Sequence, residues 1–178
     1  MDARVHHVQG KAERVNPERG NNDLAVLQEF YREALARLLR HQAGARLIRQ
    51  YDANNTYQYI INREETHLSW LGAAIVGLGG TVDDGGPEPN RSTGRDAALV
   101  AMDEDARESL AFVERWRPRV DAMVNARHRK MLGVILGEIL EQQRFFEQAL
   151  EGRTDLLGRR GQHLEPAHGD VLPSRWIE

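Results

Sequence analysis

The chain has 178 residues, 40% hydrophobic and only 6% aromatic, with no cysteine and a net charge of −3 from 24 basic and 27 acidic side chains. That length suits one domain able to bury a core, and the absence of thiols excludes a disulfide framework, a zinc ribbon, an iron–sulfur cluster and a cysteine nucleophile, leaving any metal to His, Asp and Glu. The near-balanced charge gives no reason to expect a nucleic-acid partner.

The start, Met1-Asp-Ala-Arg-Val-His-His7, lacks the apolar core of a signal peptide, so a cytoplasmic address is the default. Residues 1–22 are polar and aperiodic and read as a flexible lead-in. From Asp23, a plausible N-cap, Leu24, Leu27, Tyr31, Leu35 and Leu38 recur at helical spacing and predict helix A, ending near Ala43-Gly44. Helix B is predicted from Leu47 to Leu78, with Tyr57, Ile60, Glu64, His67, Leu71 and Ile75 on one face and a stop at Gly79-Gly80. Thr66–Val82, the longest run free of Asp, Glu, Lys and Arg, is glycine-rich and shorter than the roughly 20 apolar residues of a membrane span. It reads as one end of a buried helix, and no membrane partner is expected.

Thr81–Gly94, rich in glycine, proline and small polar residues, is loop-like. Helix C is predicted over Arg95–Trp116 with Leu99, Met102, Ala106, Ser109, Val113 and Trp116 as its stripe, and Pro118 marks a break. Helix D is predicted over Arg119–Leu150, with Met131, Val134 or Ile135, Glu138, Glu141, Phe145 and Ala149 along a face. Trp70 and Trp116 read as packing residues, and His41 and His128 as partly exposed histidines near helix ends. Residues 152–178 lose the period and form a tail ending Val171-Leu-Pro-Ser-Arg-Trp-Ile-Glu178, suited to docking on a partner or packing on its own bundle.

Four helices and no strand signal predict an all-α four-helix bundle over 23–151, flanked by the lead-in and the tail. Short A–B and C–D breaks make two antiparallel hairpins. The B–C segment can extend roughly 50 Å, about the length of helix B, so it can cross the bundle and leave B and C parallel.

An offset of 74 residues lays A–B over C–D, bringing Gly44 onto Pro118, Glu64 onto Glu138, His67 onto Glu141 and Tyr31 onto Asp105. Unpaired carboxylates inside a core cost several kcal/mol, so they pair, protonate or bind a cation. Glu64 with His67, and Glu138 with Glu141, share helix faces at i, i+3 spacing. Facing one another with Asp105 beside them, they would assemble four carboxylates and one imidazole around two divalent ions.

Glu64-Glu-Thr-His67, followed by Ile75-Val-Gly-Leu-Gly-Gly80, resembles the second helix of the ferritin-like superfamily, the rubrerythrin and bacterioferritin group. That resemblance implies a ferritin-like bundle over about 23–150 with a dinuclear iron or manganese centre reacting with oxygen or peroxide, of ferroxidase or oxidative-stress type. It implies Glu64, His67, Asp105, Glu138 and Glu141 as metal ligands, although Glu141 stands where the family has His. At helix A the repeat offers Tyr31, a candidate redox or hydrogen-bonding residue, with Glu33 as the nearest carboxylate. A homo-oligomer, with a dimer favoured, is expected. The alternative expectation is a metal-free bundle that serves as an interaction or structural module.

Overall fold

The computed structural model describes residues 17–83, 85, 86, 89, 91, 94–153, 156 and 157, with side chains from Asp23 onward. The expected lead-in up to residue 16 and the tail from residue 158 lie outside the described residues. Four helices form in chain order: α1 Pro17–Ala45, α2 Tyr51–Gly77, α3 Ala97–Asp121 and α4 Ala126–Leu150. No strand occurs among the described residues, and no helix is long and apolar enough to cross a membrane.

Helix boundaries follow capping chemistry more than the apolar stripe. α1 begins at Pro17, six residues before the expected Asp23, and proline suits a first helical position because the missing N–H has no intrahelical acceptor there. α2 begins only at Tyr51, because Leu47 and Ile48 donate back to Gly44 and Ala45 in a turn and the Gln50 side chain accepts from the Ala53 N–H. Pro118 does not break α3, which continues to Asp121; a proline in the last turns forfeits one backbone bond, and buried Val120 and Met123 hold the chain down beyond it. The real break precedes Asn125, whose side chain accepts from the Arg127 and His128 N–H groups and starts α4.

α1 pairs with α2 and α3 with α4 as two closely packed antiparallel hairpins. Between the hairpins, α1 runs antiparallel to α3. Glu29 meets Arg119 at 2.7 Å, Glu33 meets Arg115 at 2.6 Å and Arg40 meets Glu108 at 3.4 Å. The segment from α2 to α3 travels the length of α1. Its Gly80 lies against Leu24, Thr81 O accepts from Gln28 at 3.1 Å, and Gly86 packs so closely on Leu39 that a Cβ there would sit 2.6 Å from a methyl. Finally Arg91 donates to Arg40 O at 2.8 Å. Since the crossover starts at one end of the bundle and finishes at the other, α2 and α3 are parallel, as expected.

The duplication has a register one residue away from the expected offset. α2 and α4 begin 75 residues apart. The buried residues of α4, His128, Leu132, Ile135, Leu136, Ile139, Gln142 and Phe146, follow Ala53, Tyr57, Ile60, Ile61, Glu64, His67 and Leu71 of α2 at that same spacing. The aromatic core lies on either side of one polar layer: Phe30 with Phe112 and Trp116 at centroid distances of 5.2 and 4.8 Å, and Tyr57 with Phe146 at 5.1 Å.

Candidate functional site: a charged layer in the bundle core

At mid-bundle the apolar packing is interrupted by Arg37 and His41 of α1, Glu64 and His67 of α2, Asp105 and Ser109 of α3, and Gln142 of α4, all buried. Glu64, 4% exposed, takes a hydrogen bond from His41 Nδ1–H at 2.8 Å and lies 3.3 Å from Arg37 Nη2. That same nitrogen donates to Gln142 Oε1 at 3.0 Å and stands 3.4 Å from Ser109 Oγ. One guanidinium nitrogen therefore occupies a cradle of oxygens from α2, α3 and α4. The Arg37 guanidinium also stacks 5.0 Å from the Phe112 ring centroid. Burial pushes Arg37 below its ordinary basicity, while Glu64 acts the other way; arginine nonetheless stays charged in proteins.

Asp105 has no exposed surface. Arg91 Nη2 reaches its two oxygens at 2.6 and 2.8 Å, Arg40 donates at 3.0 Å and the Tyr57 hydroxyl donates at 2.8 Å. Burial alone would raise this carboxyl, but the charges of His41 and Arg91 outweigh it and hold the group below its usual range. Tyr57 is driven upward by burial and by facing Asp105, so it remains a phenol that donates. The crowding is accommodated by Gly44, where a Cβ would come within 3.1 Å of Tyr57, 3.2 Å of Arg91 and 3.3 Å of Asp105.

Glu138 sits at the edge of the bundle, bound by Arg63 through two nitrogens at 2.9 and 2.6 Å and by His67 Nε2–H at 2.9 Å. The Arg63 hydrogen bond, with that of His67 behind it, lowers the Glu138 pKa despite partial burial. Burial lowers His67 more than Glu138 raises it, so the neutral imidazole donates to an ionised carboxylate.

The sequence-derived ligands therefore divide. Glu64, His67 and Asp105 face the interior, and Glu138 joins His67 but is neutralised by Arg63. Glu141 is exposed, and Glu33 bonds Arg115 and Trp116 Nε1 at 2.6 and 2.9 Å, away from the layer. Tyr31 is buried beneath the crossover, lining a cleft of about 210 Å³ with Gln28, Ile75, Thr81 and Asp83. In the observed repeat register, the α4 counterpart of Glu64-x-x-His67 is Ile139-x-x-Gln142, a hydrocarbon and an amide.

These residues do not fit a dinuclear centre. Among the described residues no three His, Asp or Glu side chains gather where they could hold one ion. The void bounded by Ala34, Arg37, Glu64, His67, Ile135 and Ile139 is about 10 Å³, room for one water at most. In the same layer, Arg37 Nη1 and Gln142 Nε2 are buried donors with no acceptor among the described residues, so the unmet demand there is for an acceptor rather than for a cation.

Arg37, His41, Tyr57, Arg91 and Gln142 were not legible as site residues. Arg37 falls on the buried stripe of α1 between Ala34 and Leu38, a signal available from helical spacing alone, and His41 lies one turn further along. Contrary to expectation, His41 and His128 are buried, at 1% and 8% exposure, and Trp70 is 38% exposed. No family model matches the chain, and no curated protein or solved structure is significantly similar to it.

Proposed function

We propose that this chain is a metal-independent four-helix bundle of ferritin-like design, acting as an interaction or structural module, with its core charges balanced by its own arginines and hydrogen-bonded by its histidines. The observation that carries this reading is Arg37 Nη2 held among Glu64, Ser109 and Gln142 oxygens, with Glu64 3.3 Å away. A guanidinium there supplies the positive charge that a buried carboxylate demands. Arg91 and Arg40 do the same for Asp105, and Arg63 for Glu138.

The competing reading, an iron or manganese centre acting on oxygen or peroxide, draws support from Glu64, His67 and Asp105 lying inside the bundle. It would require those carboxylates to exchange their present cations for metal, and it finds Ile139 and Gln142 where α4 should supply ligands. Metal analysis of protein purified without chelators, from cells supplied with iron and manganese, separates the two. The proposal expects far less than one ion per chain; one or two tightly held ions per chain would overturn it.

A further inference from the structure

The charged layer explains the interior but leaves an outer strip along α2 and α4 without a role. Tyr59 and Trp70 of α2 are 41% and 38% exposed, and Val134 of α4 is 45% exposed. Tyr59 packs edge-on against Phe145 at a centroid distance of 6.3 Å, and the Arg63 guanidinium lies 5.9 Å from the Trp70 ring while bonding Glu138. The antiparallel register that pairs Tyr59 with Phe145 brings Trp70 level with Val134. The strip thus reads, in order, aromatic pair, ion pair with exposed Glu141 beside it, aromatic and aliphatic pair.

We infer that this strip is the contact surface for a second copy of the chain, a two-fold interface centred on Arg63 and Glu138. Self-complementarity is the reason. A two-fold contact uses the same patch on both copies, and half a turn about an axis lying in the contact and parallel to the helices lays α2 of each copy on α4 of the other at the same height. Tyr59 of each copy then meets Phe145 of the other, and Trp70 meets Val134. At the centre, Arg63 of each copy faces Glu138 of the other, so the charges are complementary rather than repulsive. Tyr, Trp and Arg are the residue types that dominate such contacts. The α4 surface also admits a close neighbour, since a Cβ at Gly133 or Gly137 would meet nothing within 4 Å.

This inference rests on the reading of the chain as an interaction module, and sedimentation equilibrium of the full chain in EDTA tests it. The expected result is a reversible dimer of the 20.2 kDa chain at micromolar to sub-millimolar concentrations. Trp70→Glu and Val134→Glu should each weaken it at least about tenfold, with helix content by circular dichroism unchanged, whereas Trp70→Phe should retain it. A single-chain mass throughout that range overturns the inference, whatever else covers the strip. So does a dimer that neither glutamate variant weakens. A dimer that forms only after Mn(II) or Fe(II) is added, and is lost in EDTA, overturns the metal-independent reading instead.

Discussion

Arg37 and Glu64 depend on each other. Arg37→Met would leave Glu64 buried with His41 as its remaining described donor, and stripping one partner from a buried ion pair costs about 3–5 kcal/mol. Urea unfolding should record that loss, and Arg37→Met combined with Glu64→Leu should recover most of it, because two apolar groups of similar size replace the pair. Equal and additive losses would mean that the 3.3 Å approach carries no coupling. His67 gives a second signature. Burial depresses its folded pKa below the ordinary 6.5, so as pH falls through that value the unfolded chain takes up a proton that the folded chain refuses. Stability should therefore decline as pH drops below about 6.5, ahead of the further loss below about 4.5 as Glu138 and Asp105, both depressed, are protonated. Thermal melts across this range should lose the first decline in His67→Gln and keep the second.

At the scale of helices, the four elements, the two hairpins and the crossover were all legible, because apolar spacing and glycine–proline punctuation report them directly. The repeat was legible too, but its register was not. Aligning Gly44 with Pro118 and Glu64 with Glu138 gives 74; aligning the helix starts, Tyr51 with Ala126, gives 75. One residue rotates a helix by about 100°, which carries Glu141 to solvent and Glu138 to the rim while seating Ile139 and Gln142 inside. Matching charges was the weaker guide because packing a continuous apolar stripe outweighs the pairing of a few polar residues. Arg91 was hidden for another reason: its partner Asp105 is 14 positions away and reached only through the crossover's path along α1. The crossover is consequently fastened at its far end by that pair. Asp105→Ala would leave Arg91 and Arg40 facing one another without their carboxylate, at a cost of about 3–5 kcal/mol. Hydrogen exchange should show backbone protection falling most in peptides spanning the crossover and the start of α3. An even loss over all four helices would mean that the pair does not fasten the crossover.

For the whole molecule, the choice lies between a bundle that needs metal to balance its core and one that carries its own cations. Asp105 and Glu64 both have nitrogen donors in place, and the void between Arg37 and His67 is too small for two ions. A ligand that binds the folded state alone raises stability by RT ln(1 + [L]/Kd), about 2.7 kcal/mol at a hundredfold excess over Kd. The melting temperature of the wild-type chain, measured anaerobically in EDTA and then in Mn(II) or Fe(II) well above chain concentration, reads that term directly. The account predicts the same melting temperature in all three solutions. A rise of several degrees in either metal, reversed by chelator, would contradict it.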